Sequence, residues 1–251
     1  MNARAHRPAV LFVALGLLLA ACQTSVPELT DPRVIVTSAA EQAAGAKSVR
    51  VDVTLDGAIE SAITLDVDGT TASADLDITG KALKASFDSP VLVGIRGEVI
   101  VKDGSAYAKT SLSGPMYLLL GSDAAGIASA LEPQALLRGL DRLLADPSLT
   151  PTLGTARQCT GTDCYVVRVD LPIDVLGGLG GLTSGLPIPV DLAGATASLE
   201  LAVRKDDRRP GELVLVVKGA GADLTAKFTF SKWDETVTIE APPADQVQPA
   251  G

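Results

Sequence analysis

SVRVDVTLDGAIESAITLDVDGTTASADLDIT, residues 48 to 79, decides the fold of this chain. Within it Val49, Val51, Val53 and Leu55 alternate with Ser48, Arg50, Asp52 and Thr54, which is the two-residue period of a strand with one buried face. Asp56-Gly57 and Asp68-Gly69 interrupt the pattern, and Asp-Gly between alternating runs favours a tight hairpin turn. The stretch therefore predicts three antiparallel strands, at 48 to 55, 59 to 67 and 70 to 79. The same period continues at 81 to 87, 91 to 101 and 106 to 112, with turns at Ser89-Pro90 and Asp103-Gly104. It returns at 165 to 171, 195 to 203, 213 to 218, 224 to 230 and 236 to 240.

Helical patterning appears in three places. Asp31 is a natural N-cap, Pro32 fits the first helical position, and the run extends to Gly45. Residues 122 to 131 and 133 to 145 read as a helical pair, the second with Leu136, Leu137, Leu140, Leu143 and Leu144 on one face. Such a face must press on something apolar. The expected class is α+β, one domain over residues 31 to 241, in which helices cover an antiparallel sheet. Pro242, Pro243 and Pro249 mark 242 to 251 as a disordered tail. Residues 177 to 189 (GGLGGLTSGLPIP) read either as a flexible connector or as an apolar lid over a cavity mouth.

The start of the chain carries its own signal. Arg4 and Arg7 precede an apolar run at 9 to 20, too short to span a bilayer, which ends in Leu19-Ala20-Ala21-Cys22. This resembles the bacterial lipoprotein signal, in which the cysteine is acylated and becomes the first mature residue; the competing reading is an ordinary secretory signal with a cysteine near its cut. On the first reading, residues 1 to 21 are removed, Cys22 is the lipidation site, and 22 to 30 form a tether to the membrane. Two or more acyl chains make a stable anchor where one holds only marginally.

Without those 21 residues, 19 basic side chains face 30 acidic ones, a net charge of −11. That surface repels phosphate backbones, so nucleic acid is not an expected partner. The only histidine, His6, lies in the signal, and no cofactor or metal site is implied. Gly181-Leu182-Thr183-Ser184-Gly185 lacks both the nucleophilic serine and the base of a hydrolase elbow. Asp66 with Asp68, and Asp75 with Asp77, are the close carboxylate pairs, and solvated strand faces account for them. The expectation is a protein that is not an enzyme. Cys159 and Cys164, in CTGTDC, read as a disulfide closing a small loop outside the cytoplasm. Hydrophobic residues make up 47% of the chain but aromatics only 3%, so branched aliphatics and alanine build the interior. Either a cavity for acyl chains or a coding bias towards small aliphatics explains that balance.

In order, the chain offers a lipobox, a tether, a helix, a long meander, a helical pair, a cysteine loop and a closing meander. It resembles the LppX/LprA/LprF/LprG family of actinobacterial envelope lipoproteins. The residues carrying the likeness are Ser48-Val49-Arg50-Val51, Tyr107 in GSAYAK, CTGTDCYVVRVDL from Cys159, and FTFSKWDETVTI from Phe228. The Gly-Leu stretch at 176 to 186 departs from the family. The resemblance implies a strongly curved half-barrel sheet, helices on its concave side around an apolar cavity, and a monomeric carrier of acylated lipids or glycolipids on the extracytoplasmic face of the cell membrane. A lipid exporter or acceptor in the envelope would then be a partner. The candidate lipid-binding positions are Val53, Leu55, Ile63 and Leu65 on strands and Leu136, Leu140, Leu143 and Leu144 on a helix. The alternative is an envelope scaffold or protein-binding module with a filled core.

Overall fold

The computed structural model describes residues 27–60, 64–91, 94–120, 148–172, 194–219 and 221–249. The predicted helical pair, the Gly-rich stretch and Cys22 lie outside the described residues. Helix α1 (Pro32–Ala44) forms as its sequence predicts: Asp31 accepts a hydrogen bond from the Arg33 amide and Pro32 occupies the first turn. Its buried face is Ile35, Val36, Ala39 and Ala43, and the two alanines let its axis approach the sheet closely.

The strands are β1 (Ser48–Glu60), β2 (Thr64–Asp66), β3 (Thr70–Asp77), β4 (Ala82–Ser89), β5 (Ile95–Lys102), β6 (Ser105–Thr110) and β7 (Tyr117–Leu119). They continue with β8 (Thr152–Leu153), β9 (Arg157–Cys159), β10 (Thr162–Leu171), β11 (Thr196–Arg204), β12 (Pro210–Gly219), β13 (Ala222–Ser231) and β14 (Val247–Pro249). All belong to one curved, open sheet in the order β14-β7-β6-β5-β4-β3-β1-β13-β12-β11-β10-β8. Two antiparallel meanders meet along the β1–β13 seam, from Arg50 opposite Ser231 to Ile59 opposite Ala222. Helix α1 lies in the hollow of the second meander, against β10, β11 and β12.

Asp68-Gly69 turns the chain between two strands as predicted, though both strands pair with β1 and not with each other, whereas Asp56-Gly57 makes no turn. β1 runs straight through Asp56-Gly57 and pairs its last residues with β2. Between Leu55 opposite Thr70 and Ala58 opposite Asp66 the partner strand holds one extra residue, and Asp68-Gly69 sits in that bulge. The two pairs cap each other: the Gly57 amide donates to the Asp68 carboxylate and the Gly69 amide to that of Asp56. Gly57 has φ +117°, and a Cβ there would lie 1.8 Å from the Asp223 carbonyl oxygen, so glycine is required for the seam to close rather than for a turn.

The C-terminal segment also corrects the sequence reading. Residues 236 to 240 form no strand, and the residues predicted as a tail hold a 3-10 turn (Ala244–Gln246) followed by β14, paired in parallel with β7. Val237, Ile239 and Val247 cover an apolar island of Ala82, Ile100, Tyr107 and Tyr117 on the convex face. Burying that island explains why a proline-rich segment is held.

Cys159 and Cys164 form the expected disulfide across the β9–β10 hairpin, whose two turn residues, Thr160 and Gly161, both have positive φ. The bridge is buried on Ala202 and over Gly211, where a Cβ would come within 2.5 Å of the Cys159 sulfur. Replacing both cysteines by alanine is expected to lower stability by about 2 kcal/mol, the small end for a disulfide because the loop is short. Urea denaturation of the double variant checks this, and an unchanged midpoint would contradict it.

Candidate functional site

The pairing register sorts every strand residue onto one of two faces. On the concave side β1 contributes Val49, Val51, Val53 and Leu55, and cross-strand rows extend from each. The first row, Val49, Leu76, Leu83, Val101 and Ala106, is almost wholly buried. In the second row Val51 and Ala74 are buried, while Ala85, Val99 and Ala108 are half-buried. In the third, Val53, Ala72, Phe87, Gly97 and Thr110 are all intermediate in exposure. Burial thus declines over these three rows of β1 and β3–β6, and in the fourth Leu55, Thr70 and Ile95 are intermediate while Ser89 is buried. Over the first three rows the lining is apolar except Thr110, the fourth adds Thr70 and Ser89, whose hydroxyls bond each other at 3.1 Å, and the alanines and Gly97 leave room between larger side chains; the Phe87 ring lies where a Gly97 side chain would be.

Across the seam the lining continues as Phe228, Leu213 and Leu201, then Ala226, Leu215 and Leu199. Here α1 packs on the sheet, and Leu199, Leu201 and Val203 join its buried face in one core. Of the predicted lipid-facing residues, Val53 and Leu55 fall on this inner face and are half-buried. Ile63, Leu136, Leu140, Leu143 and Leu144 lie outside the described residues, as does the side chain of Leu65. Phe87, Val99, Leu215 and Phe228 belong to the same lining and were not singled out from sequence. The two-residue period of β4 and β5 would have marked Phe87 and Val99 as inward-facing.

The closed end of the hollow is built by packing and polar clamps. Phe230 is fully buried against Val51 and stacks on Trp233, their ring centroids 6.2 Å apart. Asp234 ties the end of β13 to the start of β1: its amide donates to the Ser48 carbonyl, its carboxylate accepts from the Lys47 amide, and it pairs with Arg209. Leu29 packs on the same core and its amide donates to the Tyr165 hydroxyl at 3.0 Å.

Outside the apolar island, much of the charge on the convex face is paired. Arg157 reaches Glu212 at 2.7 Å and Glu200 at 3.1 Å, Arg168 reaches Glu200 at 2.7 Å, and Lys227 reaches Glu212 at 3.2 Å. A groove of about 610 Å³ across β1, β3, β4 and β5 is lined by Arg50, Ser73, Ser86 and Arg96, but Arg50 pairs with Asp75 and Arg96 with Asp88. The carboxylate pairs noted in the sequence have structural duties: Asp75 binds Arg50, Asp77 accepts from the Gly80 amide, Asp66 from the Asp68 amide, and Asp68 caps Gly57.

Burial opposes ionisation of Glu200, but hydrogen bonds from Arg168 and Arg157 outweigh it and hold its carboxyl below the usual glutamate value. Burial likewise opposes ionisation of Glu98, and the Tyr117 hydroxyl and Lys84 lower it on balance. A depressed folded-state value means stability that is present above the unfolded glutamate value, about 4.3, and lost as pH falls through the folded one. Denaturation midpoints are therefore expected to fall steadily below about pH 4.5. Glu200→Gln should be less stable than wild type at pH 7, with the gap narrowing as the solution is acidified. A constant gap would contradict the assignment.

No family model matches this chain, and no curated protein matches its sequence. Among solved structures the chain is similar to the lipoprotein LppX of Mycobacterium tuberculosis, at 16% identity and a TM-score of 0.55, over 83% of this chain and 98% of that one. It is equally similar to LprF of Mycobacterium bovis, at 17% identity and a TM-score of 0.55, over 84% of this chain and 96% of that one. The shared fold is the one the sequence resemblance implied.

Proposed function

We propose that this protein is a membrane-anchored, extracytoplasmic lipoprotein that holds the tails of an acylated lipid or glycolipid against the concave face of its sheet and carries them across the cell envelope. The observation that supports the reading is the outer part of the inner face, where Val53, Leu55, Ala72, Ala85, Phe87 and Val99 stay half-buried beyond the buried first row. The Leu-Ala-Ala-Cys22 signal and the fold shared with LppX and LprF support it.

Physical chemistry supplies the need. Each methylene exposed to water costs about 0.8 kcal/mol, so a sixteen-carbon tail costs on the order of 12 kcal/mol outside a bilayer. A dry aliphatic surface removes that cost and requires no acid, base or nucleophile. The reading assigns the protein no catalytic step.

Two mass-spectrometric measurements test it. Organic extraction of the purified soluble Cys22→Ala domain is expected to release acylated lipid in near-stoichiometric amount. The N-terminal peptide of the native protein is expected to begin at Cys22 and to carry acyl groups. A lipid-free domain that takes up no acyl probe would favour the scaffold alternative.

A further inference from the structure

We propose that the domain stands on its membrane with the closed end of the hollow down, so that the open part of the inner face points away from the bilayer that anchors it. The partner surface is the headgroup layer, and the proposal rests on the Cys22 anchor of the reading above.

The tether fixes the polarity. Pro27 to Leu29 are held at one end of the sheet: Leu29 by the Tyr165 hydroxyl, Glu28 by Lys205 at 3.1 Å, and the Pro27 carbonyl by Arg208 at 3.4 Å. Four residues separate Pro27 from Cys22, and the five Cα–Cα steps at about 3.5 Å each reach no more than about 18 Å. A ten-residue strand such as β12 or β13 spans about 33 Å. The acylated residue therefore cannot reach the far end of the sheet, where β12 turns into β13. The bilayer must lie beside Lys205–Arg209, the start of β1 and the end of β13.

That end is also where the hollow is shut, by Phe230, Trp233, Tyr165 and Leu29 together with the buried row from Val49 to Ala106. Along the first meander exposure of the lining rises away from it, through Val53, Ala72 and Phe87, whereas in the second meander Leu171, Ala197, Val217 and Ala222 keep the far end buried, so the open part of the inner face is that of β1 and β3–β6. Charge follows the same axis. Lys205, Arg208 and Arg209 offset Glu28, Asp207 and Asp234 near the tether. The far end presents exposed Asp56, Asp66, Asp68, Asp170 and Asp223 against Lys218. Anionic headgroups repel such a cluster, and at a Debye length of about 8 Å the two ends are electrically separate. The anchor and the charge distribution select the same orientation. Tails then enter and leave on the side facing the aqueous gap, where a partner body rather than the anchoring bilayer meets them.

Amine footprinting of the mature chain tests this. A water-soluble acylating ester is applied to the soluble Cys22→Ala domain and to two forms on phosphatidylglycerol–phosphatidylethanolamine vesicles. One is the natively acylated protein; the other is unacylated protein whose Cys22 thiol is coupled to a maleimide lipid. On vesicles Lys47 and Lys232, both exposed at the tether end, are expected to react several-fold more slowly than in the soluble domain, while Lys218 reacts at an unchanged rate. Slower reaction at Lys218, or equal rates at all three, overturns the orientation. Protection in the maleimide arm together with a native chain that carries no acyl group leaves the geometry standing and overturns the anchor reading instead.

Discussion

A carboxylate at Val53 should abolish lipid uptake. Val53 sits in the middle of the inner face, opposite Ala72 on β3 and Phe228 on β13, and is half-buried among apolar neighbours. An acyl chain laid over Val53→Asp would strip water from an ionised group, a cost of several kcal/mol without a partner cation. Each 1.4 kcal/mol is tenfold in affinity, so binding of a fluorescent fatty acyl probe is expected to weaken by more than about a hundredfold. Ala72→Leu supplies the steric counterpart: it adds bulk without charge to the same row and should lower the amount of co-purified lipid while the domain stays folded. Asp52→Asn, one residue away but on the convex face beside Arg50, should bind the probe as wild type does. Uptake by a folded Val53→Asp protein equal to that of Asp52→Asn would remove the inner face from the binding site.

The strand period was readable because burial imposes it on neighbours in the chain: Val49, Val51 and Val53 declare one face whatever lies opposite. Asp56-Gly57 misled because its sequence is the same in a turn and in a strand beside a bulge. What decides is the Asp223 carbonyl pressed against Gly57, a contact from the other end of the chain. The β1–β13 seam has no local signature for the same reason. Prolines at 242, 243 and 249 mark a segment that is poor as helix or central strand, but Val237, Ile239 and Val247 are what fasten it to Ile100 and Tyr107. Half the strand contribution to the site could be seen in the alternation around Val53 and Leu55. Ala72 and Gly97 could not, since small residues acquire meaning as empty volume only once the register sets them beside Phe87.

The seam also concentrates stability, and Phe230→Ala should show it. The side chain is fully buried, faces Val51 across the seam and stacks on Trp233, so truncation leaves a cavity that the polar clamp around Asp234 keeps from collapsing. Removing a buried phenylalanine costs about 3–5 kcal/mol, a large share of the 5–15 kcal/mol that stabilises a typical domain. Phe228→Ala, two residues away on the same strand and face but half-buried, should cost distinctly less. The contrast is diagnostic of where the hollow ends. Phe230 belongs to its closed floor and is needed to fold, whereas Phe228 belongs to the lining, and its loss should weaken probe binding more than it lowers the urea midpoint. Equal destabilisation by the two variants would mean that the lining near Phe228 is packed as tightly as the floor, leaving no room there for a tail.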